Sequence, residues 1–379
     1  MNNLTGLIPD LHAAMDIVSR EQIGVIPASY RDARADAVSI GQVLTIPVAK
    51  PRKTQPIRPG QPPTGSGNDF DNVQVTIQRQ ESADPIVWNG DEESTQGALI
   101  NPMKRDQITQ AMRALANEIE ADVALEGVVA GVGEGNVYGQ KGVTPFAGSL
   151  GDMAQIRRIL NEKGAPNFDR QFVANTVAAA SLLSNNNLLH VEKSGGDSEL
   201  RRGVMRPIMG FNIYESGGLV TIDQGTAAGY LVNGAAVAGA KAINIDSGSG
   251  TFKRGNIVKF GTDATEYVVT EDVASGGTVL KIAGGLKDAV ADNAAITMSG
   301  REYMPSIAFN RNALLTVCRP VKLPSDGDSA KDVYNVVDPD SGLAFQAALY
   351  GDYLQNRLEI RCAWGWRAVS PRHIMTIFG

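Results

Sequence analysis

The sequence predicts an α+β chain in which one long helix is set among β-rich segments. Three observations predict it. Residues 105–129 place Ile108, Met112, Leu115, Ile119 and Val123 at helical spacing, with alanines between them. Residues 225–300 break into short apolar runs (KAINI, NIVKF, TEYVVTE, TVLKI, AAITM) separated by glycine-bearing turns. Residues 333–379 alternate apolar and polar side chains, the period of a strand with one buried face.

In chain order, residues 7–23 form an amphipathic helix with Leu7, Leu11, Met15 and Val18 on one stripe, Pro9 near its start and Gly24 as its stop. That stripe suits a helix packed on its own domain or an arm docked on a neighbour. Residues 45–98 open with a Pro- and Gly-rich stretch of little apolar periodicity, then VQVTIQRQ alternates as a strand. This reads as a long excursion with a strand on its return. The outgoing limb carries Lys50, Arg52, Lys53 and Arg58 with no acid among them, whereas the return limb carries Asp84, Asp91, Glu92 and Glu93. Solvated charge accounts for such residues singly. A loop reaching another subunit would use the same segregation to set register.

The helix over 105–129 spans roughly 35–40 Å at its usual rise and can serve as a spine. The glycines of GVGEGNVYGQKG, residues 131–142, are expected to end it. Residues 150–163 form a second amphipathic helix with Met153, Ile156 and Leu160 inward and Gly164 as its stop. RQFVAN reads as a strand, TVAAASLLS as a helix and GFNIYES as a strand. The glycine-punctuated runs of 225–300 are compatible with a small barrel or sandwich. They read as an insertion, because α/β material resumes at MPSIAFNRNALLTVCRP. Near the C-terminus Leu343, Phe345, Ala347 and Leu349 alternate, as do Leu358, Ile360, Cys362, Trp364 and Trp366.

Composition narrows the function. The 379 residues are 43% hydrophobic, too apolar for a disordered chain. Lysine and arginine total 35 against 41 acids, a net charge of −6 that lacks the footprint of a nucleic-acid binder. No apolar run is long enough for a transmembrane helix. The N-terminus has no leading basic cluster, so a signal peptide is not expected and the chain is expected in the cytosol. There a disulfide between Cys318 and Cys362 is not expected.

A search for reactive chemistry returns little. GVGEG at 131–135 follows a helix, whereas phosphate-cradling loops need the order strand, turn, helix. No GxGxxG, P-loop, HExxH, GxSxG or CxxC occurs. His12, His190 and His373 lie in separate segments, and Cys318 and Cys362 read as small core residues. Asp246, Asp263, Asp272 and Asp288 stand near turns without the close alternation of a calcium loop. No catalytic residue, cofactor or metal site is assigned.

Several stretches carry a resemblance. NNLTGLIPDLHAAMDIVSREQIGVIPA, MKRDQITQAMRALANEIEADVALEG with the following GVTPFA, GFNIYES, IAFNRNALLTVCRPVKLP and the closing SPRHIMTIFG resemble the coat proteins of tailed phages with the Hong Kong 97 fold. The family of the phage P-twenty-two coat is the nearer one. The resemblance implies an N-terminal arm (1–40), an extended loop (41–98) and a peripheral domain with the spine helix (99–130). It further implies an axial domain in two parts (131–224 and 301–334) around an inserted β-barrel domain (225–300), and a closing peripheral sheet (335–379). It implies a non-enzymatic major capsid protein of the virion, assembled in the bacterial cytoplasm into pentamers and hexamers with a separate scaffolding protein. A portal protein and decoration proteins are the further partners it implies, with double-stranded DNA enclosed and not read. The inserted unit is shorter than that family's, which leaves its role open. On this reading Lys50, Arg52, Lys53 and Arg58 on the loop, and Leu7, Leu11 and Met15 on the arm, are the assembly-interface residues. Two rival readings are a β-rich polysaccharide hydrolase and a cellular encapsulating shell of the same fold.

Overall fold

The computed structural model describes residues 7–19, 23–32, 36–49, 54, 56–57, 59–60, 70–96, 100–147, 149–185, 207–298, 302–325, 328–338 and 341–379. The N-terminal segment holds helix α1 (Ile8–Ser19), the four-residue helix α2 (Val25–Ala28) and strand β1 (Tyr30–Asp32). Strands β2 (Val43–Ala49), β3 (Phe70–Thr76), β4 (Arg79–Ser82) and β5 (Ile86–Asn89) lead through helix α3 (Gly90–Gln96) into the long helix α4 (Ile100–Gly133). Then come β6 (Val137–Tyr138), α5 (Gly151–Glu162), β7 (Arg170–Ala174), α6 (Thr176–Leu183) and β8 (Phe211–Glu215). Six short strands follow: β9 (Leu231–Val232), β10 (Ala242–Asp246), β11 (Ile257–Phe260), β12 (Tyr267–Val268), β13 (Val279–Lys281) and β14 (Ile296–Met298). The chain closes on β15 (Ser306–Asn310), β16 (Leu314–Arg319), β17 (Ala330–Val337), β18 (Ala344–Asp352), β19 (Gln355–Ala368) and β20 (Ile374–Ile377).

Two sheets organise most of this material. The first runs β1-β16-β19-β18-β17, and the 14-residue β19 also takes β4 and β5 along its other side. The second runs β6-β20-β15-β7-β8. Helix α4 packs across both, against β19 of one and β20 and β15 of the other. Its inward residues Ile108, Met112, Leu115, Ile119 and Val123 are fully or almost fully buried in the largest core. A second core under α5 and α6 gathers Met153, Ile156, Leu160, Phe172 and Phe211.

The spine is longer than its apolar stripe. It covers 34 residues, about 50 Å at the usual rise. Glycines expected to end it lie inside it, and the reason is close packing. A Cβ on Gly131 would stand 2.8 Å from the Thr376 backbone nitrogen, and one on Gly133 would stand 2.6 Å from the Ala283 Cβ. The stop comes at Gly135, whose φ of +69° suits glycine. Its N–H donates to Val132 O at 2.9 Å and that of Asn136 to Gly131 O at 2.9 Å, which is the Schellman pattern of helix ends.

Gly24 likewise is not the stop of α1, which ends at Ser19. Gly24 is right-handed and stands where a Cβ would lie 2.5 Å from Glu215 O. Helix α5, its stop at Gly164 (φ +78°) and helix α6 fall where the sequence places them. Asn175 caps α6 by accepting the Ala178 N–H at 2.7 Å.

The excursion of 45–98 divides. Among the described residues β2 and β3 form a two-stranded sheet of their own, from Val43 opposite Thr76 to Ala49 opposite Phe70. β4 and β5 instead join β19, with Trp364 opposite Arg79 and Leu358 opposite Ile86. The acids Asp91, Glu92 and Glu93 occupy the first turn of α3, where the helix dipole favours negative charge. Asn89 and Glu92 cap that turn reciprocally, at 2.8 and 3.1 Å.

The C-terminal strands depart from simple alternation. β18 is buried at every residue from Ala344 to Tyr350: Phe345, Ala347 and Leu349 face the main core, and on the other face Gln346 donates to Val321 O and Asn335 Oδ1, each at 3.1 Å. On β19 the second face is covered only toward its end. There β3 crosses so closely that a Cβ on Gly365 would stand 3.2 Å from Ile77 Cα.

Residues 227–298 form a β unit with its own core of Tyr230, Val232, Ile245, Phe252, Phe260 and Leu280 among others. Two three-stranded sheets, β13-β10-β9 and β12-β11-β14, meet at both edges. Val269 bridges to Ile282 and Leu231 to Ala295, so the hydrogen-bonded circuit closes on itself. The unit touches the spine through Arg254, whose guanidinium donates to Glu126 Oε2 at 2.5 Å and lies 5.8 Å from the Trp366 ring.

Candidate assembly surface

Among the described residues no group of three or more His, Cys, Asp or Glu side chains is placed to hold a metal ion. Among them, too, no helix is long and apolar enough to cross a membrane. Cys318 and Cys362 are buried free thiols on neighbouring strands. Burial pushes the Cys362 thiol well up, whereas the bond to Cys362 draws the Cys318 thiol down. His12 bonds the Tyr334 hydroxyl at 3.0 Å. Burial, then Arg170 and Arg372, push the His373 imidazole below its ordinary value. His190 lies outside the described residues. These groups do not converge on a common centre, so the structural interest lies in surfaces.

The first surface feature is the β2–β3 ribbon. Seven residues on each strand carry the chain about 20 Å from the base at Thr76 to the open end at Ala49 and Phe70. Lys50, Arg52, Lys53 and Arg58 fall beyond that end and outside the described residues. At the base, Arg79 gathers Glu81 (2.5 Å), Glu118 (3.0 Å) and Asp122 (3.1 Å) and lies 5.2 Å from the Trp364 ring. This web ties β4 to the spine. Trp364 Nε1 adds a bond to Asp122 at 2.9 Å.

The second is a groove of about 840 Å³ between β4–β5 and the N-terminal half of α4. All its charged lining residues are acids: Glu81, Asp84, Asp106 and Glu118. Glu118 is held above the ordinary carboxylate range, first by its bond to Glu81 and then by burial, against the pull of Arg79. Of these acids, Glu81 and Glu118 pair with Arg79.

The third is the tip of the β18–β19 hairpin. Tyr353 and Leu354 are 86% and 77% exposed, and Leu354 has φ +55°, an uncommon conformation for a bulky residue.

Leu11 and Met15 sit in the chain's own core, 0% and 3% exposed, with Leu7 packed at its margin. In the single subunit the arm stripe therefore faces α4. One group escaped sequence reading altogether. Glu120 is 2% exposed and accepts N–H bonds from Gly24 (2.7 Å), Val25 (2.6 Å) and Ile26 (2.9 Å), and the Ser216 hydroxyl at 2.5 Å. Burial pushes its carboxyl up, and the Ser216, Val25, Ile26 and Gly24 donors pull it back. Four donors and no bonded proton acceptor describe an ionised carboxylate's place. The spacing of Glu120 carries no signal, because it lies beside the apolar stripe among the other acids of the helix, Glu118 and Asp122.

No family model matches the chain, and no curated protein matches its sequence. Solved structures do resemble it in overall course. A structure from Mycobacterium phage Che8 is 15% identical, with 89% of this chain and 84% of that chain covered and a TM-score of 0.46. The capsid structure of the cyanophage P-SCSP1u is 13% identical, with 93% and 86% covered and a TM-score of 0.49. A virus-like particle from Pyrococcus furiosus is 10% identical, with 97% of each chain covered and a TM-score of 0.41.

Proposed function

We propose that the chain is a non-enzymatic, shell-forming coat protein of the Hong Kong 97 type. One observation carries the reading: a single 34-residue helix spans both main sheets while a separate two-stranded ribbon, β2–β3, packs across β16 and β19 of one of them. That arrangement stands in the order the sequence resemblance implies, with arm, ribbon, spine, α/β domain and returning sheet. Closed shells are built from many copies of modest, repeated contacts, and projecting segments supply them without a reactive centre.

Within this reading the finer assignments are also proposals. The container is the virion of a tailed phage with double-stranded DNA, of the P-twenty-two type, built on a separate scaffolding protein with a portal. The closed circuit of 227–298 is its inserted β-barrel domain. Lys50, Arg52, Lys53 and Arg58 approach an acid-lined surface of a neighbouring subunit, and the groove beside α4 offers one. Leu7, Leu11 and Met15 contribute by seating the arm on the spine.

Electron microscopy of the expressed chain, alone and with its scaffold, tests the function. Closed shells are expected, and monodisperse monomers under both conditions would refute it. Shells filled with cargo enzyme in place of DNA would favour a cellular compartment of the same fold. Replacing Lys50, Arg52, Lys53 and Arg58 together by glutamine should abolish particles while circular dichroism of the subunit stays unchanged. Particles of normal size and yield would refute the loop assignment.

A further inference from the structure

The N-terminal segment is fastened unequally along its length. Residues 24–32 are bonded directly to the spine and to β16, and through Glu120 to Ser216 beyond β8. Glu120 of α4 takes the consecutive N–H groups of Gly24, Val25 and Ile26. The same carboxylate takes the hydroxyl of Ser216, just beyond β8, whose own acceptor capacity is used by the Gly218 N–H at 3.1 Å. Ser29 Oγ meets Thr316 Oγ1 at 2.9 Å, Asp32 pairs with Arg319, and β1 runs parallel to β16 from Tyr30 to Asp32. Gly24 has no room for a side chain against Glu215 O.

Helix α1 is held otherwise. It rests on α4 through Leu11, Ala14 and Met15. Among the described residues, its one side-chain polar contact with another element is His12 Nε2 to the Tyr334 hydroxyl, at an exposed position. Ile17 of the same helix is 46% exposed.

The two halves differ in what separation leaves behind. Pulling residues 24–26 from the spine leaves a buried carboxylate without three of its four donors, together with three N–H groups. A buried charge without partners is among the costliest defects a fold can carry. Lifting α1 exposes a short apolar stripe and returns one exposed hydrogen bond to water.

We propose that Glu120 is an anchor at which the N-terminal segment divides into a fixed base, residues 24–32, and a helix, residues 8–19, that leaves and reseats on the spine as a unit. The device is a property of the single subunit and does not rest on the shell reading. Within a shell it would let α1 change its seat while the junction of arm, spine and β8 keeps its geometry.

Amide hydrogen exchange on the full-length unassembled chain tests it. In the wild type, amides of 8–19 should exchange about 100-fold faster than those of Val25 and Ile26, as separate opening units do. Tyr334→Phe should speed exchange in 8–19 severalfold and leave 24–32 unchanged. Glu120→Gln turns an amide NH2 toward the N–H donors and should speed Val25 and Ile26 about tenfold or more. Equal protection of the two segments in the wild type would overturn the proposal, as would unchanged protection of Val25 and Ile26 in E120Q. Should E120Q fail to fold, Ser216→Ala removes one donor from the same carboxylate. It should raise exchange at Val25 and Ile26 and not in 8–19, and the reverse pattern would overturn the proposal.

Discussion

Asp328 shows how one side chain ties a strand to the acid limit of stability. It accepts the Tyr350 hydroxyl, the Ser329 N–H at 2.6 Å and Arg361 Nη2 at 3.5 Å. These bonds, the Tyr350 hydroxyl first, hold its carboxyl below the ordinary range. A carboxyl lowered by folding adds stability that is present above its unfolded pKa and is lost as pH falls through the folded value. Below about pH 4, therefore, the wild type should lose stability more steeply than Asp328→Asn, and the two curves should converge in acid. Urea midpoints measured from pH 2 to 7 check this, and parallel curves would show that the network contributes nothing. The group is exposed, so the effect is a difference in slope and not a large loss at neutral pH.

At the scale of elements, the contact between α4 and β20 is set by glycines. Alanine at position 131 would gain about 1 kcal/mol of helix propensity. It would also put a methyl against the Thr376 backbone, 2.8 Å from its nitrogen, where the strand has no room to retreat. Overpacking of this kind costs about 1–3 kcal/mol, so Gly131→Ala should lower stability on balance. At Gly135 nothing lies within 4 Å, and the strain of φ +69° alone opposes alanine, at about 1 kcal/mol. Chemical denaturation of the two variants distinguishes the mechanisms. The methyl would also meet Thr376 Oγ1, so Thr376→Ala, which removes that atom and leaves the backbone clash, should rescue G131A only in part and leave G135A unchanged. A stabilised G131A would mean that the helix and strand separate freely.

At the scale of the whole molecule, the β unit meets the spine through Ile257 and Val268, which share the main core with α4, and through an ion pair. Arg254 and Glu126 are each 20% exposed and meet at 2.5 Å beside Trp366. Glu126 also accepts the Ala368 N–H at 3.4 Å, which places it between the β unit and β19. A double-mutant cycle with Arg254→Met and Glu126→Gln should give a coupling of about 1 kcal/mol, with each single change costing more than its share. The Tyr303 hydroxyl, bonded to Gly255 O at 2.9 Å, is the control outside that pair. A coupling near zero would assign the attachment to backbone packing, as where Gly284 meets Gly133.

The sequence by itself determined the local periods. The stripe from Ile108 to Val123, the stop of α5 at Gly164, the runs of the β unit and the alternation from Leu358 to Trp366 depend on neighbours a few residues away. Such order is written in spacing. Tertiary structure alone decided what approached from afar. Gly131 and Gly133 read as a helix end until Thr376 and Ala283 were seen against them. The two-residue strand β9 has too few residues to show a period, although it helps close the β circuit. The second face of β18 looked free, although Gln346 there bonds the Val321 carbonyl 25 residues back along the chain. Glu120 read as one more acid of a helix, because its donors lie 94–96 residues away along the chain. Hydrophobic periodicity records that a face is buried. It does not record which segment buries it, and at Gly131 and Glu120 the identity of that segment gives the residue its role.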